Sequence, residues 1–279
     1  MIKIDFKNKP INFYQSVEFS KKRKIPSYTI LKQAFDQGVL VDEKKKLLLE
    51  FVEYIGESKL DFKSQLYQDL FVSFINKENF DKTFLEFGAS DGVNLSNTFL
   101  LENNFSWSGV LAEPDTQWLT LLKKNRPNTK IISKCIWKNS SEKLKFFSSE
   151  IAVLSTLNTF KHSDAESMPG NTKARLKSGK IIEVETISLN QVIEKEFDDR
   201  SPTYISIDTE GSEFEILNSF NFSKYHPNVF TIEHNFTKLQ DKIDKLMLNN
   251  NYIRVFKKLT AFDAWYISSK VLKKLGYFD

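Results

Sequence analysis

The chain has 279 residues, of which 41% are hydrophobic, and its formal net charge of +4 comes from 40 basic and 36 acidic side chains. So small a charge excess does not call for a nucleic-acid partner, and the single Cys135 excludes an internal disulfide framework or a cysteine metal cluster. No apolar run approaches the roughly 18 residues of a membrane helix, and the N-terminal stretch MIKIDFKNKP lacks the apolar core of a signal peptide. We therefore expect a cytoplasmic globular protein without a membrane span.

Residues 1–60 are rich in lysine and predict a mainly helical extension that precedes a larger domain at 61–279. In VDEKKKLLLEFVEYIG the apolar side chains fall on one stripe, which predicts a helix closed by Gly56. SQLYQDLFVSFIN has apolar residues at i, i+3, i+4, i+7 and i+8, which predicts a second helix. Gln65 and Asp69 lie off the apolar stripe of this second helix.

From residue 83 the chain alternates between strand and helix signals. TFLEF, WSGVLAE and TKIISKCIW predict strands, and NLSNTFLLENN and DTQWLTLLKKN predict the helices between them. Asp115 is the expected N-cap of the second of these helices. This alternation is typical of βαβ units with a parallel sheet.

An excursion interrupts the alternating pattern. KLKFF and IIEVETI are expected to pair as strands of a hairpin. Between them, residues 161–180 are polar and show no period, so we interpret them as a mobile lid over the site of the second substrate.

The alternation then resumes and completes the sheet. SLNQVIEKE and SEFEILNSF predict helices with capping boxes, formed by Ser188 with Gln191 and by Ser212 with Glu215. TYISID and NVFTIEHN predict two more parallel strands, with KLQDKIDKLMLNN as the following helix. YIRVFKK and AWYISS are joined by a short turn, so they should be antiparallel.

Acidic residues end three of the predicted parallel strands: Glu86, Glu113 and Asp208. Ligands of open sheets of this type bind beyond the carboxyl ends of the strands. After Glu86 the turn GASDG separates Gly88 from Gly92 by four positions, so the glycine spacing of a pyrophosphate-binding turn fails. An acid at this turn repels a diphosphate but accepts hydrogen bonds from an ammonium group.

Glu113 follows Gly92 by 21 positions, close to the roughly 20-residue spacing at which an acid accepts both hydroxyls of a ribose. A ribose acceptor beside an acid suited to an amino group describes a nucleoside that carries an amino acid. S-adenosylmethionine fits this description, whereas NAD fits it poorly.

Three stretches together resemble the FkbM family of S-adenosylmethionine-dependent methyltransferases: FLEFGASDGVNLSNT, GVLAEPDTQWLTLLKKNRPN and YISIDTEGSEFEIL. The likeness extends from about Ser64 to Ser269 and includes SQLYQD and IEHN; residues 1–60 and 161–180 match nothing in the family. It implies an α/β fold with a Rossmann-like class I methyltransferase sheet of about seven strands, the last antiparallel. It also implies O-methylation of a hydroxyl, most often on a glycan or polyketide.

The resemblance and the strand ends together define the candidate site. The expected cofactor-binding residues are Gln65, Glu86, Gly88, Ala89, Asp91, Gly92, Asn97, Glu113, Pro114 and Asp208. The expected catalytic residues are His234 as the general base, Asp208 as the group that orients it or the acceptor, and Glu210. A divalent cation held by Asp208 and Glu233 is the rival arrangement.

Several alternatives remain open at this point. Asp91 could only stabilise its turn, Ser96 could be a helix cap, and Glu210 could act as a helix N-terminal charge. At the level of function, the alternatives are an inactive binding module with this fold and a nicotinamide-dependent oxidoreductase. We expect a small-molecule or glycan acceptor and no nucleic acid; a homodimer is one of the oligomeric states open to the chain.

Overall fold

A computed structural model describes residues 4–7, 9–42, 44–58, 60–78, 81–151, 154–163 and 169–277. Four helices precede the first strand: α1 (Phe13–Arg23), α2 (Ser27–Asp36), α3 (Lys45–Ser58) and α4 (Gln68–Ile75). The expected stop at Gly56 was wrong, because α3 continues to Ser58 and Gly56 packs against the ring of Tyr28. Within the described ranges, no helix is long and apolar enough to cross a bilayer.

Eleven strands follow, with helices between most of them, in the described part of the chain. The first half contains β1 (Thr83–Phe87), α5 (Phe99–Phe105), β2 (Ser108–Ala112), α6 (Thr116–Asn125), β3 (Lys130–Ile132), β4 (Cys135–Trp137), β5 (Lys143–Ser149), β6 (Thr156–Leu157), α7 (Pro169–Lys177) and β7 (Gly179–Ser188). The second half contains α8 (Leu189–Glu196), β8 (Tyr204–Ile207), α9 (Glu213–Asn218), β9 (Val229–Glu233), α10 (Leu239–Asn249), β10 (Tyr252–Val255), β11 (Asp263–Ser268) and α11 (Ser269–Lys274).

The main sheet has seven strands in the order β10-β11-β9-β8-β1-β2-β3. β11 is antiparallel to both neighbours, and the pairs β9-β8, β8-β1, β1-β2 and β2-β3 are parallel. The predicted α/β sheet of seven strands with its last strand antiparallel is therefore confirmed. The crossover between β1 and β8 places the carboxyl ends of β1, β2, β8 and β9 side by side.

A second sheet, in the order β4-β7-β5-β6, carries the excursion. The expected antiparallel pairing of KLKFF with IIEVETI is confirmed by β5 and β7. The single strand expected over TKIISKCIW was wrong, because β3 pairs in the main sheet and β4 pairs with β7 in the second sheet. The chain therefore changes sheets at residues 133–134.

The polar stretch at 161–180 is not a loop throughout. Residues 169–177 form α7, and the part of this stretch at 164–168 lies outside the described residues. α7 has little apolar periodicity, which is why the sequence pattern missed it. Its one fully buried arginine, Arg175, ties the helix to the rest of the fold through the carbonyl oxygens of Leu154 and Lys161.

Helix caps were predicted with mixed success. Asp115 accepts a hydrogen bond from the Gln117 backbone N–H, so this cap is confirmed. Ser188 accepts the Gln191 backbone N–H, but its own N–H donates to the Ser140 hydroxyl, so only half of the predicted capping box forms. The cap at Ser212 was wrong, because its side chain accepts no hydrogen bond from the helix. The Glu213 carboxylate, 3% exposed, accepts the Thr209 and Gly211 N–H groups instead.

The N-terminal helices share a hydrophobic core with the sheet. Phe13 of α1 stacks on Trp265 of β11 with ring centroids 5.5 Å apart, and Phe71 of α4 lies 4.5 Å from the same indole. Phe51 of α3 packs edge-on against Phe71 at 5.4 Å. All four rings are fully buried, and each removes about 150–250 Å² from water. The boundary expected near residue 60 therefore does not separate two cores.

Gly88 is a position where the fold leaves no room for a side chain. Its φ is +71°, and an added Cβ would lie 2.1 Å from the backbone oxygen of Asp208. We expect Gly88→Ala to lower the free energy of unfolding by at least about 3 kcal/mol, since a left-handed alanine costs about 1–2 kcal/mol and the clash adds more. Urea denaturation followed by circular dichroism measures the change.

Gly38 provides a matched control for this substitution. Its φ of +69° is nearly the same, but no atom lies within 4 Å of its Cβ position. Gly38→Ala should therefore cost only the conformational part, about 1–2 kcal/mol. Equal losses in the two variants would contradict the assigned role of the close approach.

Candidate active site

Two adjoining clefts open at the carboxyl edge of the main sheet. The first cleft is lined by Phe87, Gly88, Ser90, Ala112, Glu113, Pro114, Lys134, Cys135, Ile136, Phe146, Ser155, Leu157, Asp208, Thr209, Glu210 and Ser212. The second cleft is lined by Tyr14, Gln65, Glu86, Phe87, Gly88, Ala89, Ser90, Asn94, Leu95, Ser96, Asn97, Leu154, Asn171, Ser206, Asp208, Glu210, Glu233, Asn235 and Phe262. Gly88, Asp208 and Glu210 border both, so the two clefts form one continuous depression.

Glu86, the fourth residue of β1, organises the loop that follows it. Its carboxylate accepts hydrogen bonds from the Ser96 hydroxyl at 3.0 Å, the Asn97 N–H at 2.7 Å and the Thr98 hydroxyl at 2.5 Å. These bonds bend residues 94–98 into a turn, so α5 begins only at Phe99 rather than within NLSNT. Glu86 therefore lines the second cleft while most of its hydrogen-bonding capacity serves the loop.

Glu113 directly follows β2 and lies in the first cleft. One carboxylate oxygen accepts the Ser90 backbone N–H and the other accepts the Asp115 backbone N–H, both at 2.8 Å. Burial raises the pKa of Glu113 to about 7. Because each carboxylate oxygen accepts up to two hydrogen bonds, each has one lone pair left for a ligand hydroxyl.

Asp91 and Gly92 lie outside both clefts. The Asp91 carboxylate accepts the backbone N–H groups of Val93 and Asn94 and stabilises its own turn. At Gly92 an added Cβ would lie 2.5 Å from the Leu122 side chain of α6. The observed contacts of both residues therefore hold the turn against α6 and do not face the depression.

Asp208 directly follows β8, and Glu233 is the last residue of the adjacent strand β9. Together with Glu210 they form the carboxyl cluster. Carboxyl oxygens of these three residues lie within 4.8 Å of one another. Burial raises the pKa of Asp208 to about 7; a hydrogen bond with Glu233 opposes this shift, and the charges of nearby acids add to it. Burial and the charge of Asp208 raise the pKa of Glu233 well above its ordinary value. The Asp208–Glu233 pair therefore retains a proton near neutral pH.

The charge of Glu210 is neutralised by Arg175 of α7. Nη2 of Arg175 lies 2.7 Å from Oε2 of Glu210, and both side chains are buried. Nδ2 of Asn235 donates to the same oxygen at 3.3 Å. The Glu210 backbone has a φ of +57°, and its carbonyl oxygen accepts the Thr156 hydroxyl. These contacts make Glu210 a fixed border of the two clefts rather than a free base.

His234 is turned away from the depression and lines a small neighbouring pocket. Its Nδ1 accepts the Phe236 backbone N–H at 3.0 Å, and its Nε2 lies 3.2 Å from Nη2 of Arg254. Burial, followed by the charge of Arg254, lowers the pKa of His234 to about 4. The catalytic role of His234 stays a prediction, and both its position and its weak basicity oppose it.

The structure thus brings most of the expected site residues together. The expected residues that border the depression are Gln65, Glu86, Gly88, Ala89, Asn97, Glu113, Pro114, Asp208, Glu210 and Glu233. The sequence did not indicate three further residues at or beside the depression, namely Tyr14, Asn235 and Arg175. Asn235 follows His234 in IEHN and offered a signal, whereas Tyr14 and Arg175 lie in stretches where the sequence offered no recognisable motif.

The electrostatics of the second cleft favour a cationic ligand. Its described lining contains four carboxyl groups, Glu86, Asp208, Glu210 and Glu233, and no lysine or arginine. Oδ1 of Asn97 and Oε2 of Glu233 are buried acceptors without a hydrogen-bond partner among the described residues. A ligand with an ammonium or hydroxyl donor would satisfy these atoms, because an unpaired buried acceptor is costly.

Solved structures of methyltransferases are similar to this chain. A solved structure of the methyltransferase FkbM from Methylobacillus flagellatus KT is 14% identical, with 88% of this chain and 59% of that chain covered and a TM-score of 0.43. A TehB-like SAM-dependent methyltransferase from Corynebacterium glutamicum is 6% identical, with 81% of this chain and 97% of that chain covered and a TM-score of 0.36. No significant match was found among curated proteins.

The described chain spans about three fifths of the length of the Methylobacillus protein. The sequence also matches the methyltransferase FkbM domain over residues 86–254, more than half of its length. This segment contains the carboxyl end of β1 and the whole of β2, β8 and β9, whose carboxyl ends form the two clefts. The protein belongs to the FkbM methyltransferase domain family.

Proposed function

We propose that this protein is an S-adenosylmethionine-dependent O-methyltransferase whose acceptor is a hydroxyl of a sugar or glycan. The observation that carries the proposal is the continuous depression in which Glu113 lies on one side and the Asp208–Glu233 pair on the other. The first cleft suits a nucleoside, and the second cleft suits the cationic part of the cofactor and the acceptor.

The residues present fit S-adenosylmethionine better than NAD. Glu113 would accept the ribose hydroxyls with its free lone pairs, and Oδ1 of Asn97 would accept an ammonium proton. The bound cofactor supplies an activated methyl group. NAD brings a pyrophosphate instead, and the carboxyl groups of the second cleft would repel it.

An uncharged hydroxyl is the acceptor that this cleft favours. Although Arg175 neutralises Glu210 and the Asp208–Glu233 pair retains a proton, Glu86 and this pair still disfavour a carboxylate or phosphate acceptor through like-charge repulsion. An alcohol needs to lose its proton, and a base with a pKa near the working pH is the most effective. Ionised Asp208 meets this requirement, because its pKa lies near 7 and the proton that the pair retains is held by Glu233.

A divalent cation is the second arrangement that a specific observation supports. Oε2 of Glu233 has no partner among the described residues, and oxygen ligands from Asp208 and Glu210 lie within 4.8 Å. Such a donor set suits Mg²⁺ or Ca²⁺. The guanidinium of Arg175, 2.7 Å from Glu210, opposes this arrangement by placing a positive charge beside the site.

Calorimetric titration with S-adenosylmethionine and with NAD, followed by a methyl-transfer assay on a glycan panel with and without EDTA, tests the proposal. Binding of S-adenosylmethionine together with transfer to a hydroxyl would support it. NAD binding would favour the oxidoreductase, and cofactor binding without transfer to any acceptor would favour the inactive binding module. Activity that EDTA abolishes and Mg²⁺ restores would favour the cation.

We expect Glu113→Ala to weaken S-adenosylmethionine binding by about 1–3 kcal/mol, because the ribose loses a charged acceptor. Titration calorimetry of the folded variant measures the change. Glu194→Ala serves as the control, since it removes the same charge from an exposed position on α8. Unchanged affinity in a folded Glu113 variant would remove this residue from the cofactor site.

We expect kcat to rise about tenfold per pH unit up to about pH 7 and then to level off, as Asp208 ionises. Asp208→Asn should lower kcat by about 10²–10⁴-fold. His234→Gln should lower it far less, because the ring faces Phe236 and Arg254. Steady-state kinetics across pH 5–9 measures both variants, and an equal loss in His234→Gln would restore the histidine as the base.

The raised pKa of Asp208 also predicts its effect on stability. Between about pH 4 and pH 7 the unfolded chain releases this proton while the folded chain keeps it, so stability should fall as pH rises. At pH 7.5, Asp208→Asn should therefore stabilise the fold by about 1–3 kcal/mol, because the neutral amide replaces a buried charge. Thermal unfolding at pH 5 and pH 7.5 measures the difference.

Asp244→Asn is the control with the opposite sign. Although burial raises the pKa of Asp244, its hydrogen bonds to Lys257 and Tyr266 lower it by more, so its net shift is downward. This substitution should therefore destabilise the protein at pH 7.5. A loss of stability in both variants would show that the Asp208 charge does not strain the fold.

A further inference from the structure

A groove outside the active site continues the second cleft. The outer groove lies between α1 and residues 61–65, and it shares Tyr14, Gln65 and Leu95 with the second cleft. Its size, about 890 Å³, is close to the 900 Å³ of the second cleft, both including space open to solvent. The depression around the reacting groups therefore extends along the surface by a second compartment.

The boundary between the two compartments presents apolar side chains to solvent. Tyr14 is 40% exposed and Leu95 is 39% exposed. The Tyr14 ring packs edge-on against Phe262 with centroids 5.6 Å apart, which fixes the ring at the boundary of the two compartments. Exposed aromatic faces carry partial negative charge and attract the C–H groups of a ligand ring.

Leu95 adopts a backbone conformation that is costly for leucine. Its φ is +61°, in the left-handed region that costs such a residue about 1–2 kcal/mol. Asp91 holds the N–H of the preceding Asn94, and Glu86 holds the hydroxyl of the following Ser96, so the loop is fixed on both sides of the leucine. Strain that persists in this way is typical of ligand-binding loops.

The charges in the outer groove are paired. Lys21 lies 3.3 Å from Glu18, and Lys63 lies 2.7 Å from Asp61. The half-buried Gln65 amide has no hydrogen-bond partner among the residues that the structure describes. An uncharged ligand with hydroxyl groups and apolar ring faces matches these features, whereas a polyanion or a strongly acidic peptide does not.

We infer that the acceptor is an oligosaccharide, in which one sugar lies in the second cleft and a neighbouring sugar lies in the outer groove against Tyr14. The inference rests on the proposed function and specifies its acceptor. A sugar ring presents apolar C–H faces and equatorial hydroxyls, which the pair of Tyr14 with Leu95 and the Gln65 amide would contact. α1 then acts as part of the acceptor site.

A ladder of acceptors tests the inference. The probes are the methyl glycosides of mannose, glucose, rhamnose and fucose, each with its α-linked disaccharide and trisaccharide, assayed with labelled S-adenosylmethionine. Saturation-transfer NMR on the protein loaded with S-adenosylhomocysteine measures binding of the same probes. For at least one series, kcat/KM of the wild-type protein should be about tenfold higher for the disaccharide or trisaccharide than for the methyl glycoside.

Substitutions then locate the effect. Tyr14→Ala should reduce the advantage of the longer acceptors about tenfold, Tyr14→Phe should retain it, and the affinity for S-adenosylhomocysteine should stay near that of the wild type. Leu121→Ala, which truncates a leucine of 40% exposure on α6, is the control for loss of a surface apolar group. It should leave the preference in kcat/KM for the longer acceptors unchanged.

Each remaining outcome distinguishes the inference from the proposed function. Methylation of a sugar with no preference for longer chains, or an unchanged preference in Tyr14→Ala, would overturn the inference and leave the proposed function standing. Neither binding nor methylation of any carbohydrate, in a protein that binds the cofactor, would overturn the inference and the sugar acceptor together. Absence of cofactor binding would overturn the proposed function itself.

Discussion

The arrangement of the site depends on the close approach of Gly88 to the backbone of Asp208. β1 and β8 are distant in sequence but pair directly, and the turn after β1 touches the end of β8 where an added Cβ would lie 2.1 Å from the Asp208 oxygen. Parallel pairing aligns the ends of β1, β2, β8 and β9, and this contact allows the turn after β1 to lie directly against the end of β8. The carboxyl groups that follow these strands are then confined to one depression, where their mutual repulsion opposes folding.

Hydrogen bonds decide what each of these carboxyl groups is able to do. Glu86 and Glu213 are occupied by donors from their own loops, so they shape the backbone. Glu113 accepts two backbone N–H groups and keeps capacity for a ligand. Asp208 and Glu233 meet few donors other than each other, so burial and repulsion raise their pKa values. Groups with the fewest internal partners are the ones available to a substrate.

Two segments outside the main sheet complete the depression. α1, α3 and α4 are anchored by Phe13, Phe51 and Phe71 around Trp265, and this anchoring holds Tyr14 beside the second cleft. On the other side, Arg175 joins α7 to Glu210. Both segments therefore border the depression, to which they contribute Tyr14 of α1 and Asn171 of α7.

The sequence by itself determined the alternating elements, the antiparallel last strand and the acids at the strand ends, because these depend on local periodicity and on positions along single strands. It did not determine the split between β3 and β4 or the helix at residues 169–177, since both depend on pairing and on the burial of Arg175. Local pattern also did not separate the surroundings of Asp208 from those of His234. Only the tertiary structure placed Asp208 in the depression and His234 in a neighbouring pocket beside Arg254, because both placements depend on residues that are remote in sequence.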